Sequence, residues 1–364
     1  MWTGRGRSTP MTSPLGCHMF GEVQMRVLQF VGVGRLEWQE SRELRVGGDL
    51  EAIVRPIAST TCDLDRRILA GMSPFEPPFA IGHECVAEVE QVGDKVRSVA
   101  RGDLVVVPWH ISCGVCPACR RNLPAHCEMI PGLTGYGTPL GGDWGGLFSE
   151  QVRVPFADGM LVRLPSGVDP VAVASASDNL TDVYIAVMRG MTKHPGASVL
   201  VIGGVESMGL FAIDHAFAAG AATVTYVDRH EGRREAARAL GASVHPALPA
   251  DSDRKYLVVI GASRDQADLG AAIRCLAPTG HLSNMSMFFG DTPLPLWEMY
   301  LRDVTFATGI PNVGPHIPKV LELARCGHIH PERVMTVHDW EDAPNALLSH
   351  DMKPVVVRPQ IFAS

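Results

Sequence analysis

The chain has 364 residues, 46% of them apolar and 20% charged, with a formal net charge of -7 at pH 7. That length suits two domains of roughly 100 to 200 residues each, and the composition excludes a disordered or collagen-like chain. Lysine and arginine are scattered, which provides neither a basic stripe for nucleic acid nor a polybasic membrane anchor, so the expected partner is a small molecule.

Residues 1–24 are rich in Gly, Ser, Thr and Pro and lack the apolar core of a secretory signal, so they read as a flexible tail, with Met25 as an alternative start. From 25 to 170, short β-rich runs such as 49–60 and 102–108 are punctuated by Gly and Pro, the pattern of an irregular β domain. From about Asp169 the texture changes. An Ala-rich helix reaching Arg189 is followed by a strand at 198–204, a helix over 208–219, a strand at 223–228 and a helix over 232–240. The alternation continues with a strand at 256–263, a helix over 267–276, and strands at 281–287 and 304–310. It predicts a doubly wound parallel sheet over 171–311. A helix over 317–326 and a terminal strand at 353–359 follow; the strand has no βα partner and is assigned back to the first domain, which then comprises 25–170 and 312–364. The most apolar stretch, Val199 to Val227, is broken by Glu206, Asp214 and His215 and is a poor bilayer span.

Of nine cysteines, four crowd together as Cys113, Cys116, Cys119 and Cys127 in a loop containing Gly114, Pro117 and Pro124. The C-x2-C-x2-C-x7-C spacing lets four thiolates converge on one Zn²⁺ and leaves no open position, which predicts a structural site. The alternative is two disulfides or idle thiols. Metal-bound thiols favour a reducing, cytoplasmic setting.

A second site is suggested by Cys62 at the end of a β-rich run and by Gly82-His83-Glu84 at the start of another. A thiolate and an imidazole are two zinc ligands; a catalytic zinc takes a third from the protein and keeps the fourth position open, and Asp178 is chosen as that third ligand. With these residues the sequence resembles the zinc-dependent alcohol dehydrogenases of the medium-chain dehydrogenase/reductase superfamily, from Met25 nearly to the end. The resemblance implies a GroES-like catalytic domain beside a Rossmann domain, and a catalytic zinc on Cys62, His83 and Asp178. It implies an outer or alternating ligand in Glu84, and a carboxylate in Asp65 that orients the zinc-bound histidine. It also makes the four-cysteine loop the structural-zinc lobe, giving two Zn²⁺ per chain, and implies a homodimer or homotetramer. Trp109 falls where the family places an aromatic that lines the substrate pocket, favouring flat or slender substrates; Tyr136 and Trp144 are candidates for a second wall.

One departure concerns proton transfer. The family commonly reads Cys-x-Ser/Thr-Asp-x-His, and here the run is Cys62-Asp63-Leu64-Asp65-Arg66-Arg67. Leu64 cannot relay a proton, and a guanidinium stays protonated at ordinary pH. Either another group, with Thr60, Thr61 and Asp182 as the candidates, or an ordered water does the job, or the substrate does not need that relay.

The segment 199–213 reads as strand, Gly-rich turn and helix start, with Asp228 about 20 residues on from Gly209. Main-chain N–H groups at such a helix N-terminus bind a pyrophosphate, with Gly203, Gly204 and Gly209 shaping the turn. The turn is one residue longer than G-x-G-x-x-G and carries Glu206. Asp228 would bond the adenosine ribose diol and repel a 2′-phosphate, favouring NAD(H) over NADP(H), a preference moderated by Arg229. The resulting expectation is hydride transfer between NAD(H) and a small alcohol, aldehyde or ketone, with zinc as Lewis acid. Reduction of C=N or activated C=C bonds, and a non-catalytic nucleotide-binding role, are the alternatives.

Overall fold

The computed structural model describes residues 24–250 and 252–359. The tail expected over 1–24 lies outside them except for Gln24, which opens the first strand.

The β-rich half is organised by the strand Ala52–Thr60, whose small and β-branched residues are buried along almost its whole length. It lies inside a seven-stranded sheet between Lys353–Val357 and Glu84–Val92, followed by Leu104–Val107 and Val162–Arg163; Met335–Asp339 forms the opposite edge and Val152–Val154 also pairs with the central strand. The terminal strand thus returns to this sheet, antiparallel to Ala58–Thr60. Register decides what happens at the sheet's end. Thr60 pairs with Glu84, so Cys62, two residues beyond one strand, and His83, one residue before its neighbour, emerge at the same edge. A smaller three-stranded sheet of Arg35–Arg42, Gln24–Gly32 and Phe79–Ala80 packs alongside.

The other half is a parallel six-stranded sheet ordered Ser243–His245, Val224–Val227, Val199–Ile202, Tyr256–Gly261, Leu276–Asn284 and Thr305–Ala307. Counted in sequence this is 3-2-1-4-5-6, the order of dinucleotide-binding sheets, in which ligands lie beyond the carboxyl ends where the order reverses. Here that point falls between Ile202, which leads into the Gly-rich turn, and Gly261. Val199, Val201, Val258 and Ile260 from the two central strands are fully buried with Ile213 of the helix Met208–Ala218. Each such side chain contributes about 1.5–3 kcal/mol of transfer free energy.

Three expectations about elements need correction. The Ala-rich helix ending at Arg189 is broken: Ala174–Ser177 forms a 3₁₀ turn and the α-helix runs Asn179–Met191, with Asp178 between them at φ -151°, ψ -88°. The alanines favour a helix, so the sequence hides this break, which turns the Asp178 carboxylate out of the helix. The strand expected at 281–287 instead spans Leu276–Asn284, because the chain enters the sheet directly after the helix Gln266–Arg274. Helices Asp63–Leu69 and Leu296–Arg302 were not anticipated. Among the described residues no helix is long and apolar enough to cross a membrane.

Candidate active site

Cys62 caps the helix Asp63–Leu69: its Sγ accepts from the Leu64 amide at 3.4 Å, while Asp65 Oδ2 accepts from the Cys62 amide at 2.9 Å. This reciprocal cap fixes both residues before any ligand binds. The other oxygen of Asp65 faces His83 Nδ1 at 3.4 Å, and on the opposite edge of the ring Nε2 faces Asp178 Oδ2 at 3.5 Å. Ligand atoms of Cys62, His83 and Asp178 all lie within 4.8 Å of one another, and all three residues are buried. Thiolate, imidazole and carboxylate are a zinc donor set, and a fourth direction opens to the cleft.

The electrostatics fit a cation at this point. Burial pushes the Cys62 thiol well above its ordinary pKa, and the nearby charges of Asp178, Glu84 and Asp65 push it further. Burial opposes protonation of His83, yet Asp65 and Asp178 outweigh it and raise the imidazole to about 9. The cluster is short of positive charge, which a divalent ion would supply while holding the thiol as thiolate.

Glu84 is not among these converging groups. Its Oε1 accepts from Ser175 Oγ at 2.6 Å and the Asn179 amide at 2.7 Å, and its Oε2 accepts from Lys353 Nζ at 2.5 Å. Of its two expected roles, outer residue or alternating ligand, the geometry supports the first. Lys353 escaped the sequence reading. Wholly buried, it also donates to the Thr61 carbonyl at 2.5 Å and Asn179 Oδ1 at 3.0 Å, and Asn179 Nδ2 in turn donates to Cys62 Sγ at 3.2 Å. A lone lysine in an otherwise apolar strand was the available signal, since a buried ammonium requires an anion.

The relay candidates separate. Thr60 Oγ1 donates to the Pro354 carbonyl at 2.7 Å and is buried in the sheet, and Thr61 is buried beside Lys353, so neither hydroxyl lines the cleft. Asp182, one helical turn beyond Asp178, does line it, and burial followed by the Asp178 charge raises its carboxyl to about 8. Leu64 and Arg67 also face the cleft, and the Arg67 guanidinium crosses it to lie 4.5 Å over the Phe289 ring. Trp109 lines the cleft with its indole N–H donating to the Pro311 carbonyl at 3.3 Å. Tyr136 also lines it, but its hydroxyl points away to the Arg153 carbonyl at 2.9 Å. Trp144 does not form the expected wall: the turn around Gly141 and Gly145 folds it against the β-rich core.

In the four-cysteine loop, the four Sγ atoms also lie within 4.8 Å of one another, and Cys116 Sγ is 3.9 Å from Cys127 Sγ. Tetrahedral ligands about 2.3 Å from one ion would stand roughly 3.8 Å apart. All four are free thiols, so the disulfide alternative is not what the loop adopts. Amide donation from Cys119 outweighs burial and, with Glu128, brings the Cys116 thiol down to about 6.

At the switch point of the parallel sheet, Gly203 and Gly209 permit close packing. A Cβ on Gly203 would stand 2.3 Å from the Tyr226 hydroxyl and 2.5 Å from Asp228 Oδ2, and one on Gly209 would stand 3.1 Å from the Tyr226 ring. Gly204 adopts φ +136°. Asp228 reaches the adjoining cavity of about 340 Å³, but its oxygens already accept from Arg233 Nε at 2.7 Å, Arg233 Nη2 at 3.0 Å, the Tyr226 hydroxyl at 2.8 Å and the His230 amide at 2.7 Å. Arg229 lines the same cavity, paired there with Asp268 at 2.7 and 2.9 Å. Arg233, one helical turn after Asp228, was missed in the sequence reading.

Residues 48–166 match the family model of the alcohol dehydrogenase GroES-like domain. The alcohol dehydrogenase of Thermus sp. ATN1 is 31% identical and superposes with a TM-score of 0.83, covering 92% of this chain and 99% of its own. A probable zinc-binding alcohol dehydrogenase of Mycobacterium tuberculosis is 30% identical over 319 residues, 86% of this chain and 81% of the relative. The chain belongs to the zinc-dependent alcohol dehydrogenase family of the medium-chain dehydrogenase/reductase superfamily. Acetophenone reductase of Geotrichum candidum, solved in complex with NAD, shares the fold at 22% identity, with a TM-score of 0.78 over 93% of this chain and 98% of its own.

Proposed function

We propose that the protein is a zinc-dependent oxidoreductase that transfers a hydride between NAD(H) and an alcohol or carbonyl carbon of a small apolar molecule. One observation carries this reading: Cys62, His83 and Asp178 stand in the same cleft, of about 640 Å³, as Val205 and Met208 at the Gly-rich turn, so a metal centre and a dinucleotide site face each other across it. A zinc ion on the triad would supply Lewis acidity, polarising a carbonyl or lowering the pKa of an alcohol. The chain's residues do the rest. Asp65 holds the His83 ring so that Nε2 points at the metal position shared with Cys62 and Asp178, and Lys353 keeps Glu84 and Asn179 in place behind it. Asp182, with its carboxyl raised to about 8, is placed to hold or release the alcohol proton near neutrality where Leu64 cannot.

Apolar side chains such as Leu64, Phe75, Trp109, Leu140 and Phe289 dominate the cleft walls, which favours an apolar, flat or slender substrate over a polyol. NAD(H) over NADP(H) is supported by Asp228 at the cavity wall and by Asp268, whose carboxylate lines the same cavity and competes with a 2′-phosphate for the Arg229 guanidinium. Binding the ribose diol requires Arg233 to yield one of its bonds to Asp228. Leu64 favours, as a second reading, a substrate whose reduction needs no relay, such as a C=N or activated C=C bond.

In this reading 25–170 and 312–364 form the catalytic domain and 171–311 the cofactor domain, and a second zinc sits on Cys113, Cys116, Cys119 and Cys127. The eight described cysteines, all free, support a cytoplasmic setting. Exposed Leu296, Trp297, Tyr300 and Leu301 adjoin the edge strand Thr305–Ala307 and support a homo-oligomer. The test is NADH-linked turnover on a panel of apolar alcohols, aldehydes and ketones, with deuterium at nicotinamide C4 traced to product. Label on the former carbonyl carbon supports the reading; turnover restricted to imines or enones supports the second; no label in any product refutes both.

A further inference from the structure

The adenosine-side cavity and the substrate cleft meet at a single side chain. Among the described residues, Arg264 is the one that lines both. It follows the strand Tyr256–Gly261, on the loop that packs against the Gly-rich turn: a Cβ on Gly204 would lie only 3.0 Å from Ser263 Oγ. A dinucleotide spanning the two cavities places its diphosphate at this junction, because the diphosphate is what joins the adenosine half to the nicotinamide half.

The side chains next to the turn are acidic, which a diphosphate would not tolerate unaided. Glu206 stands within the turn, and Asp63, from the other domain, accepts from Ser207 Oγ at 3.2 Å. Ser207 therefore does not cap the helix Met208–Ala218 with its side chain. Arg264 Nη2 lies 3.4 Å from Glu206 Oε2, with the two side chains 24% and 28% exposed. This is a long, partly exposed contact rather than a buried lock, and such pairs exchange partners at small cost.

We propose that Arg264 binds the diphosphate of the cofactor and that Glu206 is its resident counter-ion, competing with the diphosphate for the same guanidinium. The inference rests on the NAD(H) reading above. Its consequence is that the two members of one ion pair act on cofactor affinity with opposite signs. Loss of Arg264 removes a charge-assisted bond to the diphosphate, whereas neutralising Glu206 frees the guanidinium and removes a repelling charge. A pair that merely braced the turn would weaken binding whichever member was lost.

NADH fluorescence titration, with ADP-ribose and adenosine as competitors, tests this on the wild type, Arg264→Gln, Arg264→Lys and Glu206→Gln. Arg264→Gln is expected to weaken NADH and ADP-ribose by about 10- to 100-fold, the worth of one hydrogen bond to a charged group. Adenosine binding, unchanged, reports that the fold is intact. Arg264→Lys retains most of the affinity, and Glu206→Gln tightens NADH by about 2- to 5-fold. Raising salt weakens NADH binding less in Arg264→Gln than in the wild type. Equal weakening by Arg264→Gln and Glu206→Gln, or wild-type affinity in Arg264→Gln, overturns the proposal and leaves the cofactor reading standing. A wild-type protein that binds neither NADH nor ADP-ribose overturns both.

Discussion

Replacing Lys353 with Met tests how the metal site is held together. The ammonium is wholly buried against Glu84, the Thr61 carbonyl and Asn179 Oδ1, at 2.5, 2.5 and 3.0 Å. Met fills similar volume, so little packing is lost and the electrostatic change dominates. Glu84 then stands in the interior with no cation, and breaking one side of a buried ion pair costs about 3–5 kcal/mol. Asn179 also loses the contact that helps orient its amide toward Cys62 Sγ. The assay is urea unfolding followed by tryptophan fluorescence, beside zinc content. Lys353→Met is expected to lose stability of that order, and the double variant Lys353→Met/Glu84→Gln to recover most of it, since a neutral amide still accepts from Ser175 and the Asn179 amide. A single variant within about 1 kcal/mol of wild type, or a double variant no better than the single, would refute the argument.

Gly203→Ala should abolish NADH binding or unfold the parallel sheet, because its Cβ would stand 2.3 Å from the Tyr226 hydroxyl; fluorescence titration and a melt distinguish the two, and wild-type behaviour in both contradicts the packing argument. Cys116→Ser should lower zinc content by one ion per chain and reduce the Tm while the catalytic site keeps its own metal, as read by elemental analysis and thermal melts. His110, His215 and His281 are each lowered to about 4, by burial above all. The unfolded chain, with histidines near 6.5, takes up protons first on acidification, so this contribution is complete above about 6.5 and is lost as pH falls toward 4. Melts across that window should slope downward, and His281→Leu should flatten the slope without changing zinc content; an unchanged slope would show that His281 is not buried neutral.

The features legible in the sequence are those fixed by local spacing. The four cysteines within fifteen residues, and the helix-strand alternation after Asp169, require no knowledge of tertiary contacts. The meeting of Cys62 with His83 depends on strand register, which pairs Thr60 with Glu84; a slip of one residue would have pointed them to opposite faces. What escaped are contacts between residues far apart in the chain or set by a single backbone break. Lys353 reaches Glu84 across 269 residues. Asp178 was chosen as a ligand from the sequence, but the helix break that turns it into the site, against the preference of the alanines before it, was not legible there. Arg233 was readable in principle, since a residue one helical turn beyond Asp228 at a helix start can bend back to it. Trp144 was misplaced because its direction depends on a glycine-rich turn whose course the sequence does not determine.

The most direct measurement is zinc per chain, by elemental analysis, in the wild type and in Cys62→Ser/Asp178→Asn, with NADH titration and turnover on the same samples. Two zinc ions in the wild type and one in the variant, with NADH binding kept and turnover lost, is the predicted result. One zinc in the wild type, or a variant that keeps two zinc ions and its turnover, would contradict an open metal site on Cys62, His83 and Asp178.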